Sequence, residues 1–200
     1  MNLFDLSGRV AVITGGNGGI GLGIAQALAG QGCNVSIWGR NPDKNNSAAA
    51  SLAGLAGKVD SRVCDVTDPA SVDAAMKATL DTFGRVDGCF ANAGIGGGGR
   101  RSFIERTEDE WRTMFATNLD GVFHAFQAAA KHMTERANAG DPFGRWLRPR
   151  ASPRSSVPRA TSIMPRPRPP STRWCARSAS SWRATASPRT RSCPAGSRAT

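Results

Sequence analysis

Gly15, Gly16, Gly18, Gly19 and Gly21 follow the apolar run Val10-Ala11-Val12-Ile13-Thr14 directly, and a helix-like pattern starts behind them. Glycine lets a backbone turn sharply and approach a ligand closely, and the first amides of a helix point outward unpaired. Such an end attracts a phosphate, and the order strand, tight turn, helix is the dinucleotide-binding one. Three later apolar runs also end in groups able to touch a ligand: Gly39-Arg40-Asn41, Asp65-Val66 and Asn92-Ala93-Gly94. Each is ordinary turn chemistry alone. Ligands in open parallel sheets sit beyond the carboxyl ends of the strands, so together these groups line one crevice. An acid after the second strand usually binds the ribose 2′-hydroxyl of NAD; Gly39 leaves that place empty. Arg40 beside it suits a paired-donor clamp on a 2′-phosphate, which favours NADP over NAD; a solvated loop arginine is the alternative.

The elements that must position these residues alternate along the chain. Val10–Thr14 reads as a buried parallel strand, followed by a helix over Gly19–Ala29 with Ile20, Ile24 and Leu28 on one face. Asn34–Trp38 is a second strand, Asn41-Pro42-Asp43 opens an alanine-rich helix to Leu55, and Val63-Cys64 is a short third strand. Asp68-Pro69 starts a helix to Phe83, and Val86–Ala91 is a fourth strand. After the glycine-rich loop Gly94–Gly99, a long helix over Thr107–Arg136 opens with Thr107 and Glu110 at capping-box spacing. Its apolar face carries Trp111, Phe115, Val122, Phe126 and Ala129, and Asn118 falls on that stripe. A buried amide needs partners, so Asn118 either ties a loop to the helix or joins an active-site network. Strands alternating with helices predict a doubly wound parallel α/β sheet of Rossmann-like kind, truncated after the fourth strand and the long helix.

The net charge of +11 does not belong to that fold. Residues 146–200 hold twelve Arg, no Lys and no acid, which leaves residues 1–145 at −1. The chain therefore divides into a nucleotide-binding domain, 1–145, and an irregular tail rich in Arg, Pro, Ser, Ala and Thr, 146–200. The five cysteines are scattered without metal-ligand spacing, and Cys33, Cys64 and Cys89 read as small buried hydrophobes. No signal peptide opens the sequence and no run is long enough for a membrane span, so a soluble cytoplasmic protein is expected.

Thr14, Gly15, Gly19, Ile20 and Gly21, as Thr-Gly-x-x-x-Gly-Ile-Gly, resemble the short-chain dehydrogenase/reductase family. On that resemblance, which covers residues 5 to about 145, the turn with Asn17 and Gly18 holds the cofactor pyrophosphate. Asp65-Val66 contacts adenine, Asn92-Ala93-Gly94 supports the sheet beside the cofactor, and Asn118 is the helix asparagine of the catalytic tetrad. The resemblance implies hydride transfer between NADP(H), or NAD(H), and a small alcohol or ketone, and a homo-oligomer, though a truncated chain puts that assembly in doubt.

The family's remaining Ser, Tyr and Lys do not follow. The sequence contains no Tyr, and no Lys after Lys131. Repeated Pro beyond Trp146 forbids sheet interior and helix alike. Arg/Pro/Ser/Ala/Thr without acids is what a GC-rich gene yields out of frame. Stepping the codons back one base lets Ile163-Met164 read His-Tyr, Pro167-Arg168 give Lys and Arg150-Ala151 give Ser, at the family spacing, with synonymous bases chosen to fit. A frameshift is expected, and the chain as written is expected to be inactive. The alternatives are a catalytically dead dinucleotide binder, and a nucleotide fold carrying a basic nucleic-acid-binding arm. Against the arm, only Trp146, Trp174 and Trp182 offer stacking, and the arginines form no helical stripe.

Overall fold

The computed structural model describes residues 4–96 and 102–149. Val10–Thr14 forms β1, buried along its whole length. Alternate side chains leave a strand on opposite faces, so such a strand needs cover on both. Behind it come α1 (Gly19–Gly30), β2 (Asn34–Gly39), α2 (Pro42–Ser51), β3 (Val59–Val63), α3 (Pro69–Phe83) and β4 (Gly88–Ala91). α4 (Glu108–Phe115) passes through a π-helical turn, Ala116–Asp120, into α5 (Gly121–Asn138), and β5 is Arg145–Leu147. The sheet order is β3-β2-β1-β4-β5 and every neighbouring pair is parallel. Val10 and Val12 pack with Val72 and Met76 of α3 and Ala125 and Ala129 of α5. On the other face Ile13, Val35 and Ile37 pack with Ala25 and Ala29 of α1 and Ala48 of α2. The strand order reverses between β1 and β4, which makes their carboxyl ends the switch point of a doubly wound sheet.

The predicted helix starts are confirmed by their caps. Asp68 accepts from the N–H groups of Ala70 and Ser71 ahead of α3. Thr107 and Glu110 make both halves of the capping box ahead of α4. Cys33, Cys64 and Cys89 are free and buried. Burial lifts their thiols to about 12, 11 and 12, so they stay protonated small hydrophobes.

Several boundaries differ from the sequence reading. β3 spans Val59–Val63 rather than Val63-Cys64: it is an edge strand whose residues Asp60, Ser61 and Arg62 are polar, so apolar patterning could not mark it. α2 stops at Ser51, capped by Leu52, and Gly54 with φ +87° turns the chain before Leu55. The long helix is divided by the π turn, where Gly121 N–H reaches back to the Ala116 carbonyl. The inserted residue offsets the helical phase. Ala129 stays buried and Phe126 packs on the core, but Trp111 is 55 % and Phe115 42 % exposed, off the predicted apolar face. Ile20 is likewise 63 % exposed, at the opening of α1 rather than under it.

The sheet also does not stop at the fourth strand. Arg145 donates its N–H to the Asp87 carbonyl at 2.9 Å, and β5 pairs in parallel with β4, Gly88 opposite Arg145. Trp146 holds the strand from one side by stacking on Phe126 and donating to Met133 Sδ at 3.1 Å. The expectation of an irregular tail falls, from residue 150 onward, outside the described residues.

At the amino-terminal end of the sheet, Asp87, 2 % exposed, ties β1 to β4. It accepts from Val10 N–H at 2.9 Å, from Arg85 at 2.6 and 2.8 Å, and from Arg136 at 3.2 Å. Burial pushes this carboxyl up, but the paired Arg85 bonds, the Val10 amide and the Arg85 and Arg136 charges outweigh it and hold it below the usual carboxylate range. A depressed carboxyl contributes stability above its unfolded pKa, about 4, and loses it as pH falls through the lower folded value. Urea midpoints should therefore fall as pH drops below about 4, and Asp87→Ala should lower stability at pH 7 by about 3 kcal/mol. An unchanged midpoint in Asp87→Ala would remove the carboxylate from this role.

Candidate nucleotide-binding site

Thr14 ends β1 with its side chain turned to β4. Its Oγ1 accepts the N–H of Asn92 at 3.0 Å and of Ala93 at 2.9 Å. Asn92 Nδ2 returns a bond to the Gly15 carbonyl at 3.1 Å. These contacts draw the two strand ends so close that side chains have no room. A Cβ on Gly15 would stand 2.9 Å from Ala93 Cα, and Gly15 also has φ +64°. A Cβ on Gly21 would stand 2.3 Å from the Gly15 carbonyl oxygen. Gly18 is different: its φ is −179° and a Cβ there meets nothing within 4 Å. Neither packing nor conformation asks for glycine at that position, whereas bare backbone at a helix start fits a diphosphate.

A crevice of about 250 Å³ opens beyond these ends. Gly15, Asn17, Arg40, Asp65, Val66, Ala93 and Gly94 all line it, so the predicted residues from four strand ends do converge. Lys44 lines it as well, in the first turn of α2, whose N-cap is Asn41 accepting from Lys44 N–H at 2.9 Å. Asp65 Oδ1 accepts from Thr67 N–H and Oγ1 at 3.0 and 2.8 Å. The Thr67 amide, opposed by partial burial and helped by the Thr67 hydroxyl and Arg40, holds this carboxyl below the usual range, so it is an acceptor at neutral pH.

A second cavity of about 330 Å³ is lined by Ile20, Asn92, Ala93, Gly94 and Asn118. Asn118 lies in the π turn. Its Oδ1 accepts Ile95 N–H and its Nδ2 donates to the Ile95 carbonyl, both at 2.9 Å, so the amide is partnered as a half-buried amide should be. A Cβ on Gly94 would stand 3.1 Å from Asn118 Oδ1. Thr14 and Gly21 act behind the cavities as spacers, and Gly18 and Gly19 line neither. Ser, Tyr and Lys of a hydride-transfer tetrad have no counterpart among the described residues beside Asn118.

The sequence reading missed Asn45. It is 1 % exposed on the inner side of α2, its Nδ2 donates to the carbonyls of Gly39 at 2.7 Å and Arg62 at 2.9 Å, and its Oδ1 accepts from Asn17 Nδ2 at 2.6 Å. An asparagine in an alanine-rich helix gives no signal of that kind.

A glycine turn at the switch point of a doubly wound parallel sheet defines the Rossmann-like α/β class. A family model for short chain dehydrogenase matches residues 9–141, and the chain belongs to that family. It is 37 % identical over 136 residues to gluconate 5-dehydrogenase of Gluconobacter oxydans, covering 68 % of this chain and 52 % of that protein. It is 35 % identical over 131 residues to the NADP-dependent (R)-specific alcohol dehydrogenase of Lentilactobacillus kefiri, covering 66 % and 51 %. The crystal structure of NAD+-bound xylitol dehydrogenase superposes with a TM-score of 0.65 at 28 % identity, covering 71 % of this chain and 52 % of that one. The chain thus spans about half the length of the relatives it matches.

Replacing Thr14 by Val keeps the shape and removes the acceptor shared by two amides. Each buried N–H left unpaired costs about 1–3 kcal/mol. Asn92 N–H keeps the Phe90 carbonyl as an acceptor at 2.9 Å, so only the Ala93 N–H is left unpaired, and Thr14→Val should lower the urea-derived stability by about 1–3 kcal/mol; a change within measurement error would show that the strand ends are held by other contacts.

Proposed function

We propose that this chain carries the cofactor-binding part of an NADP(H)-dependent oxidoreductase of the family, acting on a small alcohol or ketone. The observation that carries the reading is the convergence of Gly15, Arg40, Asp65 and Ala93 on one crevice whose β2 end offers two cations, Arg40 and Lys44, and no acid. When bound, the cofactor supplies or accepts the hydride. The bare start of α1 receives its diphosphate, Asp65 and Val66 meet the adenine, and Arg40 answers the 2′-phosphate with paired donors. The named dependence of the Lentilactobacillus kefiri relative on NADP supports this choice, while the NAD+-bound xylitol dehydrogenase is the case against it. If the reading holds, Arg40→Ala weakens NADP by about 1.5–3 kcal/mol, roughly ten- to a hundredfold, and leaves NAD nearly unchanged in calorimetry. Equal losses for both would exclude Arg40 from reading the phosphate.

A homo-oligomer belongs to the same reading. Trp111, Phe115, Leu119 and Phe123 are all large, apolar and exposed, four residues apart along α4, the π turn and α5. A second copy crossing antiparallel would place Trp111 on Phe123 and Phe115 on Leu119, the self-facing contact that a twofold dimer requires. Sedimentation should show a dimer that Phe115→Glu dissociates; a monomeric parent chain would remove this part of the proposal. No helix among the described residues is long and apolar enough to cross a membrane. A cytoplasmic location fits that.

The absence of Tyr from the whole sequence supports a second reading, a cofactor binder without catalysis. General acid–base transfer contributes roughly 10²–10⁴-fold, and a sequence without Tyr lacks the proton donor that the family mechanism uses at the carbonyl. We take residues 1–145 as the domain, with Trp146 and Leu147 completing β5 of its sheet, and 146–200 as the product of a one-base shift in the coding sequence. The chain as written should be silent in a nicotinamide absorbance assay with alcohols, sugars and ketones, and the frame-restored protein active with Asn118 in its proton relay. Turnover by the chain as written, with intact mass verified, would contradict both the shift and the inactivity.

A further inference from the structure

Asn45 has one possible arrangement. The carbonyls of Gly39 and Arg62 can be met only by the NH₂ of its amide, so its oxygen must face Asn17, and Asn17 must answer with its own NH₂. The pair joins the carboxyl ends of β2 and β3 to the glycine turn. It also fills the space that a side chain on residue 39 would enter: a Cβ on Gly39 would stand 2.4 Å from Asn17 Nδ2 and 2.5 Å from Asn45 Oδ1. Gly39 does not have a left-handed φ, so the conformation alone does not demand glycine there. Asn17 is half-buried and its amide could swing aside, whereas Asn45 is buried and held by two carbonyls.

We propose that Asn45 is a positioning residue that sets cofactor choice. By holding Asn17 across residue 39, it bars any carboxylate from the end of β2, where an acceptor for a ribose 2′-hydroxyl would stand. The groups left around that end are the Asn17 amide, Arg40 and Lys44, which suit a 2′-phosphate. Asp65, a carboxylate in the same crevice, stands at the end of β3 with Thr67 bonded to it. The inference rests on the reading of the crevice as a dinucleotide site, and its test separates the two.

The full-length chain and its G39D, N45A and G39D/N45A variants would be compared by melting temperature and by calorimetric affinity for NADP and NAD. G39D alone should melt several degrees lower and bind both nucleotides weakly, because the carboxylate cannot enter. Removing the Asn45 amide should make room for it. The double variant should then melt higher than the sum of the single losses predicts, and its NADP-to-NAD affinity ratio should move at least tenfold toward NAD. A G39D protein with parental melting temperature and an acquired NAD preference would overturn the proposal, and so would additive melting losses with an unchanged ratio. If the parent chain bound neither nucleotide, the NADP reading would fail, while the melting cycle would still support the exclusion if non-additive and overturn it if additive. Should the N45A proteins not fold, G39A decides alone: a melting temperature several degrees lower supports the barrier, and an unchanged one overturns it.

Discussion

The structure depends on how closely the ends of β1 and β4 approach each other. One hydroxyl, Thr14 Oγ1, takes two backbone N–H groups from the end of β4, and Asn92 returns a bond to Gly15. That closeness makes glycine necessary at Gly15, where a Cβ would meet Ala93, and at Gly21, where it would meet the Gly15 carbonyl and Asn92 Nδ2. The crevice beyond the switch point is therefore lined by the backbone of Gly15, Ala93 and Gly94 together with Asn17 of the turn and with Arg40 and Asp65, which follow β2 and β3. The same logic of close approach recurs where α5 begins, since a Cβ on Gly121 would stand 2.6 Å from Val66 Cγ2.

Polar groups in this fold do positional work wherever strands end. Asn45 gathers β2, β3 and the glycine turn; Asn118 fastens Ile95, in the loop after β4, to the π turn; Asp87 gathers three arginines at the opposite end of the sheet. Inside the sheet Trp38 Nε1 donates to Ser36 and Thr79, whose hydroxyls bond each other at 2.9 Å, so a buried tryptophan is accommodated without an orphan donor. In each case an amide, hydroxyl or carboxylate that would be costly to bury alone has hydrogen-bond partners, and the pairing sets the spacing of backbone segments that apolar packing would leave free to slide.

Much of this was legible in the sequence because parallel strands buried on both faces are continuous apolar runs, and helix starts carry caps. Val10–Thr14, the Asp68 cap and the Thr107–Glu110 box were readable for that reason, as was the convergence of turn residues on a switch point. β3 was misplaced because an edge strand can be polar. The π turn escaped because an inserted residue leaves no compositional trace, and it misled the reading of Trp111 and Phe115. β5 was overlooked because three residues, Arg145–Leu147, are held by contacts to Asp87, Phe126 and Met133 that lie far off in the chain. Asn45 was invisible since its partners are backbone carbonyls on two different strands.

The central claim is that residues from four strand ends form a single nucleotide-binding crevice. Amide hydrogen exchange of the chain with and without saturating NADP tests it segment by segment. The account predicts slowed exchange together in Gly15–Gly21, Arg40–Lys44, Asp65–Val66 and Asn92–Ile95, with α3 unchanged. Unaltered exchange in all four segments under saturating nucleotide, or protection confined to residues outside them, would contradict it.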